Sequence, residues 1–169
     1  MKTERAASQL ELRATEALRA LLGQVSAIKL KEMKRESQGN GRGAEILVHI
    51  DVYGHSHTLA CEVKAKADLS NLGDVLTDLH QCNAHFAGDA TPVLIAPYLS
   101  PEAQALCNER HAAFLDLEGN ARLAIGEVFI GKRTFAHRHT QPSALAALAG
   151  FAPHSVSTSR DSAGTVAVA

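Results

Sequence analysis

Two periods of apolar and polar positions run through this chain. From about Glu4 to Gln24, Leu10, Ala14, Ala17, Leu18, Leu21 and Leu22 recur three and four residues apart, which predicts an amphipathic helix. Gly23 offers its stop. Val25, Ile28 and Leu30 open a basic stretch that reads as a first strand. Gly39, Gly41 and Gly43, with Asn40 between, predict a loop.

The period then changes to two. Ile46, Val48, Ile50 and Val52 share one face of residues 46–53, and Leu47, His49, Asp51 and Tyr53 share the other. Residues 58–65 alternate in the same way. Leu59, Cys61, Val63 and Ala65 lie on one face, and Thr58, Ala60, Glu62 and Lys64 on the other. Gly54-His55-Ser56-His57 is read as the hairpin loop. Placing Tyr53 opposite Thr58 sets Val52 against Leu59, Ile50 against Cys61, Val48 against Val63 and Ile46 against Ala65. A one-residue slip would break every match. In that register His49 faces Glu62. Asp51 and Glu62 become diagonal neighbours, roughly 7 Å apart at the backbone.

A second helix is expected from about Leu69 to Phe86, on the stripe Leu69, Leu72, Val75, Leu76, Leu79, Cys82 and Phe86. Thr91–Ala96 reads as a buried strand parallel to a neighbour and reached through that helix. Ser100-Pro101 starts a third helix, with serine as N-cap and proline at the first helical position, running to about Arg110. Phe114–Leu117 and Ala121–Ile125 read as strands joined by Glu118-Gly119-Asn120. Val128–Ile130 reads as a last short strand. The expected division is an α/β domain over 1–133 and a low-complexity, disordered tail over 134–169, rich in Ala, Ser, Thr, Pro and His.

Of the 169 residues, 46% are hydrophobic but only 4% aromatic, with no Trp, so the core must be aliphatic. Net charge is −1, which neither invites nor excludes nucleic acid. Local charge says more. Lys29, Lys31, Lys34, Arg35 and Arg42 stand against Glu32 and Glu36, and Lys132, Arg133 and Arg138 lie in a stretch without acids. Such stretches can touch phosphates. They also suit a solvated surface. Cys61, Cys82 and Cys107 are widely spaced and odd in number, which fits a reducing cytosol better than a disulfide framework. The charged N-terminus does not read as a signal peptide, and no apolar run is long enough to span a bilayer.

The set that carries chemistry is Asp51, Glu62 and Lys64. Phosphodiester hydrolysis needs acidic oxygens to hold a divalent metal, a metal to activate water and polarise phosphate, and a cation near the developing charge. An acid on one strand and an acid-x-Lys on its hairpin partner supply these groups on one sheet face, while Val63 anchors the strand. The order helix, strand, Asp51-bearing strand, Glu62-Val63-Lys64 strand, helix, Val93–Ala96 strand resembles the core of the PD-(D/E)xK nucleases, over roughly Glu4 to Tyr98. The runs CEVKAK, PVLIAPYLSPEAQALC and FLDLEGNARL resemble an uncharacterised bacterial branch with that core. The resemblance implies a restriction-endonuclease-like fold: a mixed central sheet flanked by helices, αβββαβ, with an additional helix and β-hairpin. It implies Asp51 and Glu62 as ligands of Mg²⁺ or Mn²⁺, and Lys64 as the catalytic lysine. It implies Glu16 and Gln81 as assisting residues and DNA as the substrate, with Lys29, Lys31, Lys34, Arg35, Lys132 and Arg133 along its backbone. It leaves a homodimer open. Ile50 stands where the family motif has Pro, and Glu45 is the alternative first acid.

The other candidates read more simply. His49 suits a hydrogen-bonded sheet-face histidine, and His55 and His57 a solvated loop. The His80, Cys82 and His85 spacing does not fall on one helix face, which disfavours zinc. Cys61 belongs to the core. Asp116–Asn120 reads as a turn rather than a second acidic site. No GxGxxG, P-loop or GxSxG is present. The rival to a nuclease is a non-catalytic module of the same fold used for DNA binding, regulation or partner contact. A small-molecule enzyme has no motif to support it.

Overall fold

The computed structural model describes residues 2–36, 46–84, 90–134 and 164–168, with side chains over 5–36, 46–84 and 90–134. The elements are α1 (Lys2–Gly23), β1 (Ile28–Arg35), β2 (Ile46–Val52), β3 (His55–Val63), α2 (Leu69–Ala84), β4 (Ala90–Ala96), α3 (Pro101–Glu109), β5 (Ala113–Asp116), β6 (Ala121–Ile125), β7 (Val128–Lys132) and β8 (Gly164–Val168). The strands form one mixed sheet in sequence order. β3, β4 and β5 run parallel, and every other neighbouring pair is antiparallel.

Each apolar stripe chooses its layer. Ala14, Leu18, Leu21 and Leu22 of α1 pack with Ile46, Val48, Ile50, Leu59, Cys61, Val63 and Ile95 on one face of the sheet. Leu72, Leu76 and Leu79 of α2 and Ala103 and Cys107 of α3 pack with Leu94, Ala96 and Phe114 on the other. Parallel pairing requires a crossover connection, and both crossovers here are helical, α2 and then α3. Ser100 caps α3 as expected: its hydroxyl accepts from the Ala103 N–H at 3.1 Å, and Pro101 follows.

The β2–β3 register departs from the sequence reading. Val52 pairs with His55, Ile50 with His57, Val48 with Leu59 and Ile46 with Cys61, a shift of four residues from the expected alignment. The cause is the turn. Tyr53 and Gly54 both take positive φ, 50° and 85°, and close a two-residue hairpin whose twist matches its strands. His55–His57, expected as loop, therefore belong to β3. The shift is even, so every residue keeps its face. The apolar partners lost to Ile50 and Val52 on this side are replaced on the other, where β1 sets Leu30 and Ile28 opposite them.

The C-terminal stretch differs as well. Residues 135–163 lie outside the description, but Gly164–Val168 pair with β7 as β8, where a disordered tail was expected. Thr165, Val166 and Val168 are β-branched, and β7 offers an open ladder edge.

Candidate functional site

The end of β3 is held by β4. Glu62 pairs with Leu94 and Val63 with Ile95, and the Lys64 N–H donates to the Ile95 carbonyl at 2.9 Å. Val63 is buried against the α1 layer. Alternation then turns Glu62 and Lys64 to the opposite face, at the border of the α2–α3 layer to which Leu94 belongs. Lys64 Nζ lies 2.6 Å from Glu62 Oε1, and the two side chains are 35% and 15% exposed. A largely shielded carboxylate beside a half-exposed ammonium thus stands at the C-terminal end of the parallel strands. In open α/β sheets that end is where ligands bind.

Asp51 does not join them. It pairs with Ser56, six residues before Glu62 on β3. At about 3.3 Å per residue the separation is about 20 Å, beyond what two carboxylates on one ion can span. The expected Asp51–Glu62 pairing fails because it rested on the register that the tight turn displaced. Asp51 belongs to another cluster. Lys31 Nζ lies 2.9 Å from Asp51 Oδ2, and Ser56 Oγ donates to Asp51 Oδ1 at 3.0 Å. The Lys31 hydrogen bond first, and that from Ser56 second, hold the Asp51 carboxyl below its ordinary value. His49 faces Thr58, not Glu62, and its Nδ1 is 3.1 Å from Thr58 Oγ1.

Glu16 is exposed on α1, the helix that covers the face opposite to Glu62. Gln81 is on the Glu62 side but exposed. It follows buried Leu79 by two residues, about 200° round α2, and so points away from the sheet. Lys29, Lys31, Lys34 and Arg35 are exposed on β1. A bulge between Leu30 and Glu32 inserts Lys31, which lets Lys29, Lys31 and Lys34 share the face of Asp51 and Leu47. Arg35 pairs with Ile46, on the α1 face. Lys132 is half-buried on β7 and Arg133 exposed just after it, far from β1 in the strand order. Glu45, Arg42, Arg138 and His85 lie outside the described residues. His80 Nε2 donates to the Arg110 carbonyl at 2.8 Å, tying α2 to the end of α3. Among the described residues no group of three His, Cys, Asp or Glu side chains is placed to hold a metal.

Sequence reading missed a cavity of about 560 Å³ at the same end of the sheet, lined by Tyr98, Leu99, Pro101, Gln104, Glu118, Asn120, Arg133 and Thr134. Its back wall is fixed by Asp116. That carboxylate is 1% exposed. It accepts from the N–H groups of Glu118 (3.1 Å), Asn120 (2.8 Å) and Leu99 (3.3 Å) and from Asn120 Nδ2 (2.9 Å). Asn120 Oδ1 in turn accepts from the Thr134 N–H at 2.9 Å. The turn at 118–120 was legible. That it walls a cavity with residues from three other segments was not.

No protein-family model matches the chain, and no curated protein matches it. Among solved structures, EndoMS in its apo form is similar at a TM-score of 0.39 and 16% identity, over 62% of this chain and 45% of that one. The match spans less than half of EndoMS and assigns neither a fold family nor an activity.

Proposed function

We propose that this chain is a metal-dependent nuclease domain acting on DNA, with Glu62 and Lys64 at its centre. The supporting observation is their placement: an acid-x-Lys on one face, anchored through Val63 and the Lys64 N–H, at the end of a strand in the order α1-β1-β2-β3-α2-β4. That order resembles the αβββαβ core of the PD-(D/E)xK nucleases. The Glu62 carboxylate suits Mg²⁺ or Mn²⁺, which bind hard oxygens and take one or two carboxylates beside phosphate and water. The metal, when bound, polarises phosphate and activates water. Glu62 holds its oxygens toward the site, and Lys64 keeps a cation where charge develops at phosphorus. The lysines of β1 follow the DNA backbone.

The test is cleavage of supercoiled and linear DNA with Mg²⁺, Mn²⁺ or EDTA by wild type, Glu62→Ala, Lys64→Ala and Asp51→Ala. Metal-dependent cutting is expected from wild type and Asp51→Ala and not from the other two. Equal cutting by Lys64→Ala would remove the assignment. The displacement of Asp51 from Glu62 favours a second reading, a non-catalytic DNA-binding module. Binding without cutting by every folded variant selects it.

A further inference from the structure

We infer that the cavity beside Tyr98 is a binding site for one unpaired nucleotide of a DNA strand, selective for bases that carry an exocyclic amino group. Its volume of about 560 Å³ is within the range of small-molecule sites. Tyr98 is 59% exposed, a large aromatic face left in solvent beside buried Leu99 and exposed Pro101. Such a face stacks a base of any sequence. Hydrogen bonding supplies the selectivity. Gln104 Nε2 donates to the Leu99 carbonyl at 2.9 Å, which fixes the amide and leaves Oε1 as its acceptor. Glu118 adds a second acceptor, a carboxylate. Two acceptors favour an amino group on the base, as in cytosine, over the carbonyl that thymine carries at that position.

Arg133 supplies the phosphate contact, since among the described residues it makes no ion pair. The start of α3 is the weaker anion site. Its N-cap hydroxyl takes the Ala103 N–H, Pro101 has none, and the Glu102 carboxylate already accepts from its own N–H and from Ser100. The position is also apt. β4 ends between Lys64, whose N–H meets Ile95 O, and Leu117, whose N–H meets Ala96 O. Tyr98 follows Ile95 by three residues, no more than about 11 Å of chain. A strand whose phosphate lies at Glu62 and Lys64 can therefore place a neighbouring nucleotide in the cavity. The inference rests on the DNA reading above for its class of ligand, and not on cleavage.

The experiment is fluorescence anisotropy of labelled oligo-dC and oligo-dT in EDTA, where nothing is cut, with thermal melts to confirm folding. Wild type is expected to bind oligo-dC more tightly than oligo-dT. Tyr98→Ala weakens binding on the order of tenfold, Tyr98→Phe binds as wild type, and Glu118→Ala removes the preference for oligo-dC. Binding of Tyr98→Ala equal to wild type, no preference in the wild type, or no binding at all overturns the proposal. Cutting of DNA in Mg²⁺ by wild type, Glu62→Ala and Tyr98→Ala, measured beside this binding, separates the two readings. Tyr98-dependent binding by a protein that never cuts would sink the nuclease and keep the cavity. Cutting by a protein indifferent to Tyr98 would do the reverse.

Discussion

Asp116 is 1% exposed, and its two oxygens accept four hydrogen bonds that close the 116–120 turn and hold Leu99. Asp116→Ala leaves several of those donors unpaired, and an unsatisfied buried group costs about 1–3 kcal/mol. A loss on the order of 3 kcal/mol is expected in urea unfolding; a loss inside measurement error would mean that water replaces the carboxylate freely. Asp51 is held instead at a wetter place, and its carboxyl lies below its ordinary 3.8. A lowered folded pKa favours the fold above 3.8, and that favour is lost as pH falls through the folded value. Lys31→Ala removes the largest cause. The Asp51 midpoint, followed by carboxyl NMR, is then expected to rise toward 3.8, with little change in stability because the Lys31 ammonium is more than half exposed and solvent screens the pair. At this scale the sequence was legible for which face each residue takes, since parity needs only a period of two. Glu62 and Lys64 do share their face. Their distance from Asp51 was not legible, because distance along a ladder needs the register.

The β2–β3 hairpin turns on two residues. Nothing lies within 4 Å of a Cβ added at Gly54, so room is not the constraint there; its φ of +85° is. Gly54→Ala is expected to cost about 1 kcal/mol in equilibrium unfolding for backbone reasons alone. Tyr53, at φ 50°, sits where Asn is better tolerated, and Tyr53→Asn is expected to raise stability by up to about 1 kcal/mol. If both changes are neutral, the turn does not set the register. Matching apolar residues across the strands pointed to a longer loop because it weighed one neighbour only. β2 has two, and β1 covers what β3 leaves. The helices were easier. The stripes of α1 and α2 and the Ser100-Pro101 start of α3 are local signals, and the structure keeps them. β8 was missed because a strand at a sheet edge draws its stability from a distant partner, here β7.

For the whole molecule, charge is placed by strand order. Lys29, Lys31 and Lys34 share one face on β1, at one end of the sheet, while Arg133 follows β7 near the other. If DNA lies along that face of β1, binding must fall with salt, and each phosphate contact removed lowers the slope of log affinity against log salt by about one. Lys29→Ala and Lys34→Ala are each expected to do so, while Arg35→Ala, on the α1 face, leaves the slope unchanged. Equal slopes in all three variants would move the DNA elsewhere.

The sequence by itself determined the helices, most of the strands, the face of every residue on β2 and of Thr58–Val63 on β3, and the acid-x-Lys at the end of β3, because these follow from local periodicity, capping and alternation. Only the tertiary structure decided which residues meet. It separated Asp51 from Glu62, gave Asp51 to Lys31, and brought Tyr98, Gln104, Glu118 and Arg133 round one cavity. Each of those outcomes depends on contacts between segments far apart in the chain, and their energies outweigh the preferences of any one pair of strands.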